Sequence, residues 1–175
     1  MNSMSNNLTT SQTVGPFPHE AWRWACDARA ALGSSAPSIT VSGVIYDGGG
    51  APIDDAIIEA WLPDAQAAEQ AQALPGFRRV PSGDNGAFSI RLSLPDAAAS
   101  GKPAMFITVF ARGLTRHQFS AVFLQDDPAL ARSEILLQVP AARRATLIAQ
   151  KQTDGSYRWD IWMQGEKETV FFDYA

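Results

Sequence analysis

The chain has 175 residues, room for one domain with a long arm, and 46% of them are apolar, which excludes wholesale disorder. Charged residues make up 18%, with 14 basic against 18 acidic side chains, a net charge of -4 and no Lys/Arg run, so a nucleic-acid footprint is excluded. One Cys, two His and three Tyr leave no internal disulfide, no thiolate zinc site and a poor start for a histidine-based metal centre.

Residues 1–37 read as an N-terminal arm followed by a short helical or irregular segment, and residues 38–175 as a β-rich domain. Met1 to Thr13 is polar and lacks the basic start and apolar core of a signal peptide. No apolar stretch approaches the ~20 residues that cross a bilayer, so the expectation is a cytoplasmic protein without a membrane partner. Val14-Gly15-Pro16-Phe17-Pro18 is stiff, because two prolines fix φ and bias their neighbours to extended geometry. Residues 20–32 suit a short helix or irregular turn, ended between Gly33 and Pro37.

From Ser38 the period becomes two: Ile39, Val41 and Ile45 alternate with Thr40, Ser42 and Val44 up to the turn Asp47-Gly48-Gly49-Gly50. Ala56 to Trp61 is a second strand, stopped by Pro63, and the Ala/Gln-rich residues 64–74 read as a surface insertion. The cleanest alternation sets Phe88, Ile90, Leu92 and Leu94 against Ala87, Ser89, Arg91 and Ser93, after the turn Gly83-Asp84-Asn85-Gly86. Met105 to Ala111 is almost wholly apolar, the mark of a central strand or one covered by a second protein. Phe119 to Leu124 is another strand, and Asp126-Asp127-Pro128 starts a turn or helix. Residues 140–150 suit either a short helix or a strand lead-in, and the chain closes with strands over Tyr157 to Met163 and Thr169 to Phe172. About seven short strands with turns between them predict an all-β, immunoglobulin-like antiparallel β-sandwich.

Short motifs add little. Gly48-Gly49-Gly50 is followed by neither Lys-Ser/Thr nor a helix, and reads as a hairpin turn. Asp54-Asp55 and Asp126-Asp127 lie beside turns and read as solvated carboxylates; Cys26 has no base near it in sequence; His19 and His117 read as surface or satisfied histidines. Trp22, Trp24, Trp61, Trp159 and Trp162 are core or interface residues, and a charge-poor chain with aromatic anchors suits a large subunit contact.

Longer strings are more specific. Thr10-Ser11-Gln12-Thr13-Val14-Gly15-Pro16-Phe17 resembles the T-P-S-Q-T-x-G-P-Y/F start of the intradiol ring-cleaving dioxygenases. Pro52 to Trp61 (PIDDAIIEAW) resembles their P-[IV]-x-[DN]-A-x-[IL]-E-[VI]-W strand. Phe110-Ala111-Arg112-Gly113, Arg143 to Ala149, Tyr157 to Ile161, Gln164-Gly165-Glu166 and Glu168 to Asp173 are similar to the α-type chains of the protocatechuate-cleaving members. The resemblance runs from Thr10 almost to the C-terminus.

That family holds Fe(III) with two tyrosinates and two histidines, the latter in an H-x-H at the start of the strand matching Met105 to Ala111. The corresponding places here are Ala104 and Phe106, and no tyrosine occurs between Trp61 and Ala104. The resemblance therefore implies a subunit that binds no metal and contributes no catalytic residue, inactive by itself. A β subunit would supply Fe(III) in an obligate α–β heteromer and cleave protocatechuate with O2 to 3-carboxy-cis,cis-muconate, a step of aromatic catabolism in the β-ketoadipate pathway. Carried over by position, Thr13, Gly15, Pro16 and Arg112, with Phe17 adjacent, would line the partner's substrate pocket. Arg112 on an unbulged strand shares a face with Ala104, Phe106, Thr108 and Phe110; its other reading is a structural ion pair at a strand end. The alternative function is a stand-alone β-sandwich binding or carrier module.

Overall fold

A computed structural model describes residues 10–13, 15, 38–63, 69–70, 74–93 and 101–173. The expected helix over residues 20–32, with His19, Trp22, Trp24 and Cys26, lies outside them, as do most of the arm and the connection 94–100. The strands in chain order are β1 (Ser38–Tyr46), β2 (Ile57–Trp61), β3 (Phe77–Pro81), β4 (Ala87–Ser93), β5 (Met105–Phe110) and β6 (Gln118–Leu124). A 3₁₀ turn (Leu130–Arg132), the helix α1 (Glu134–Gln138) and a second 3₁₀ turn (Ala141–Leu147) follow, then β7 (Ile148–Lys151), β8 (Tyr157–Arg158) and β9 (Ile161–Trp162).

Hydrogen bonding runs in the order β3-β2-β5-β6-β7-β8-β1-β4, with β9 beside β1. The path folds into two leaves, β3-β2-β5-β6 and β7-β8-β1-β4, because the apolar rows of both leaves are buried in one cluster. Val41, Ile45, Ile90 and Leu92 from one leaf meet Ile58, Met105, Ile107 and Val109 from the other. This is the expected all-β sandwich. Its long ladders are antiparallel, β1 with β4 and β2 with β3 and β5, whereas β6–β7, β1–β8 and β1–β9 are two-residue parallel pairings. Gly43 lies mid-strand where a Cβ would come 1.8 Å from the Trp159 carbonyl oxygen, so only glycine lets β1 pass that segment.

Three expectations change in detail. The undecided residues 140–150 are both things in turn, a 3₁₀ turn and then β7. The strand expected over Tyr157 to Met163 breaks at Trp159-Asp160, where the Trp159 indole turns inward to donate from Nε1 to the Thr146 carbonyl at 2.8 Å. The strand expected over Thr169 to Phe172 is a single bridge from Phe172 to Phe119. Strand β3 is unexpected, since Phe-Arg-Arg-Val-Pro carries no apolar alternation. Arg78 explains it: the side chain is buried, its Nη2 donates to Glu69 Oε1 at 2.7 Å and Oε2 at 2.9 Å, and its Nε donates to the Arg91 carbonyl at 2.9 Å. One guanidinium thus ties the open edge of β3 to β4 in the other leaf. Glu69, expected on a surface insertion, is wholly buried. Among the described residues no helix is long and apolar enough to cross a membrane.

Candidate functional site

Strand β5 places the residues of interest. Its inner row, Met105, Ile107 and Val109, fills the core, so Phe106, Thr108 and Phe110 are forced to the outer face, half-buried. Directly across the ladder stand Trp61, Glu59 and Ile57 of β2. Phe106 stacks on Phe119 with ring centres 5.5 Å apart, and Phe119 meets the edge of Phe172 at 6.5 Å. Trp61 packs on Phe77 at 4.5 Å and is 44% exposed, so its core reading is overturned while Trp159 keeps its own. Under α1 and the second 3₁₀ turn, Phe106 joins a second apolar cluster with Phe123, Leu136 and Leu147. Ala104 is buried, its N–H donating to the Val122 carbonyl at 2.8 Å.

The donor chemistry at these places does not fit Fe(III). A methyl group at Ala104 and a packed ring at Phe106 carry no ligand atom. Tyr46 stacks on Trp162 at 4.4 Å. The Tyr157 hydroxyl donates to Asp126 Oδ1 at 2.8 Å; burial, and then this bond, push its pKa up to about 12, the direction opposite to a tyrosinate ligand. Among the described residues no three His, Cys, Asp or Glu side chains converge as a metal-holding group. His117 is exposed beside the Phe110 ring, 5.7 Å between centres.

At the end of β5 the chain turns through Ala111-Arg112-Gly113-Leu114, closed by the Leu114 N–H on the Ala111 carbonyl at 3.2 Å. Gly113 has φ 89°, the left-handed value that the third residue of such a turn requires. Its N–H donates to Thr13 Oγ1 at 3.0 Å. Of the five expected pocket residues, Thr13 and Arg112 are therefore brought to one turn. Gly15 is half-buried nearby in the chain with φ 81°, and Pro16 and Phe17 lie outside the described residues.

Strand pairing stops at Phe110, and Arg112 lies in the turn just past it. Asp55 precedes Ile57 by two residues and Arg112 follows Phe110 by two, so both lie just beyond the Ile57–Phe110 end of the ladder. Arg112 Nε lies 3.1 Å from Asp55 Oδ2; the arginine side chain is 65% exposed and the aspartate 10%. Asp55 is thus a buried carboxylate, not the solvated one expected of a loop. Asp126 also has partners, with Lys151 Nζ at 2.6 Å from its Oδ2, and Asp127 Oδ2 accepts from the Gly101 N–H at 2.6 Å. In sequence Asp55 stands at the [DN] place of the string Pro52 to Trp61, but its pairing with Arg112 shows only in the folded chain.

No family model matches the chain. Two relatives match over nearly their whole length. A protein named protocatechuate 3,4-dioxygenase alpha chain from Burkholderia cepacia is 32% identical, covering 94% of this chain and 96% of its own. The protein of the same name from Pseudomonas putida is 32% identical over 95% and 96%. Among solved structures, the dioxygenase domain of a dioxygenase–carbohydrate-binding fusion from Streptomyces sp. SirexAA-E superposes with a TM-score of 0.59 at 17% identity, over 78% of this chain and 84% of that one. Hydroxyquinol 1,2-dioxygenase from Pseudomonas putida DLL-E4 gives 0.55 at 19% identity, over 75% and 57%. At these identities the structures establish a shared fold.

Proposed function

The chain belongs to the protocatechuate 3,4-dioxygenase alpha-chain family of the intradiol dioxygenases, and from that premise we propose that it is the non-catalytic subunit of such an enzyme, working in the cytoplasm. A β chain holds the Fe(III) and cleaves protocatechuate with O2 to 3-carboxy-cis,cis-muconate. This chain supplies part of the pocket wall: the arm around Thr13, Gly15, Pro16 and Phe17, and the Arg112 guanidinium. Protocatechuate differs from catechol by a carboxylate, and a guanidinium fork is the side chain suited to hold one by paired, charge-assisted hydrogen bonds.

The observation that carries this reading is the absence of donor atoms at Ala104 and Phe106, where the family places its histidines, with Phe106 packed into an aromatic stack. The hydrogen bond from Gly113 to Thr13 supports the pocket assignment, because it holds the arm beside Arg112. Expression of this chain alone should give colourless, inactive protein, and co-expression with its β chain should give a coloured, active complex containing iron. Iron–tyrosinate absorbance or ring cleavage from the isolated chain would overturn the proposal.

A further inference from the structure

We propose that Asp55 is a positioning residue for substrate discrimination: its charge holds Arg112 from the Nε side and so leaves the Nη1/Nη2 edge for the carboxylate of protocatechuate. The inference rests on the reading of Arg112 as a pocket residue and adds what aims it. A guanidinium offers two adjacent donor pairs to a carboxylate, and which pair is free decides the direction from which an anion can be gripped. Here Nε faces Asp55 Oδ2 at 3.1 Å while the arginine side chain stays largely exposed. Asp55 Oδ2 is buried and makes no hydrogen bond, so the charge of Arg112 is its compensation. Swinging Arg112 away would leave a bare, desolvated carboxylate, and that cost keeps the guanidinium in place before any ligand arrives.

The backbone makes the pairing durable. Both residues lie just beyond the end of the β2–β5 ladder, two positions from Ile57 and Phe110. Arg112 sits in the turn closed between Ala111 and Leu114, whose next residue, Gly113, is tied to Thr13 of the arm. Pocket wall and carboxylate grip are thereby set by the same short segment. The opposing negative charge of Asp55 also bars an anion from the Nε side, which favours a single orientation of an aromatic acid.

The test uses the co-expressed α–β complex with protocatechuate and catechol as substrates. Asp55→Asn, nearly isosteric but uncharged, releases the guanidinium and should raise KM for protocatechuate about tenfold, the effect of losing one charge-assisted hydrogen bond from Arg112 to the substrate. It should leave kcat close to its starting value and raise KM for catechol far less. Arg112→Lys, whose ammonium can serve Asp55 or the substrate but lacks the second edge, should show the same selective loss. If Asp55→Asn assembles normally and keeps its protocatechuate KM while Arg112→Ala raises it, the positioning role of Asp55 is overturned and the pocket role of Arg112 stands. If Arg112→Ala changes neither substrate, the pocket reading itself fails, and this inference with it. Should Asp55→Asn not assemble, Arg112→Lys decides: an unchanged ratio of the two KM values overturns the proposal.

Discussion

The Glu69 carboxylate lies wholly buried against the Arg78 guanidinium, both of its oxygens accepting from Nη2, and Ser93 Oγ donates to it at 2.7 Å. Because Arg78 also reaches the Arg91 carbonyl, the pair closes the sandwich at its open edge. Burial alone would push the Glu69 carboxyl up, but the hydrogen bonds from Arg78 and Ser93 outweigh it and hold it below its ordinary 4.5. A lowered folded value means stability that is complete above pH 4.5 and lost as the pH falls through the folded value. Glu69→Gln takes the carboxylate from the buried Arg78, which keeps its bonds to the Arg91 and Phe77 carbonyls, and should cost roughly 3 kcal/mol. It should also flatten the acid limb below pH 4.5, measured by urea unfolding across pH 3 to 7.

Restoring histidines should not restore an iron site. The double variant Ala104→His, Phe106→His adds two nitrogen donors, but no tyrosine lies between Trp61 and Ala104 to complete the set. Forcing imidazoles into a buried methyl site and an aromatic stack should cost about 2–3 kcal/mol. Metal analysis after incubation with iron should find no bound metal in excess of the parent chain, and thermal melts should show the loss of stability.

Thr13→Val keeps the shape of the arm and removes the acceptor for the Gly113 N–H. A single exposed hydrogen bond is worth somewhat under 1 kcal/mol, so KM for protocatechuate in the α–β complex should rise about threefold. Thr13→Ser, which keeps the hydroxyl, should behave as the parent. Steady-state kinetics of the three proteins checks both halves.

Tyr157 titrates late because burial and then Asp126 hold its proton, raising its pKa to about 12 from an ordinary 10.0. A raised folded value contributes stability that is complete below pH 10 and lost as pH rises toward 12. Tyr157→Phe should cost about 1–2 kcal/mol at neutral pH. It should also remove this segment of the alkaline unfolding profile, followed by circular dichroism.

Period-two patterning over Ser38–Tyr46 and Ala87–Ser93 made the main sheet legible, because one face is dry and the other wet, and the burial of Ile39, Val41, Phe88, Ile90 and Leu92 repeats that alternation. The family was legible from strings such as Pro52 to Trp61 and Glu168 to Asp173, and the missing donors from a count of tyrosines. Strand β3 was not, because its stabiliser is one buried arginine and not an apolar face. Nor was the burial of Asp55, since a carboxylate beside a turn looks solvated until its partner is found.

By itself, then, the amino-acid sequence determined the sandwich, the family and the absence of ligand-bearing side chains at Ala104 and Phe106, all of which depend on local pattern and residue identity. Tertiary structure alone decided which charges meet. Arg112 faces Asp55, Arg78 faces Glu69 and Gly113 faces Thr13 across separations of 57, 9 and 100 positions. Such pairs are selected by strand register and by the cost of leaving a buried charge or donor alone, and neither quantity exists until the leaves close.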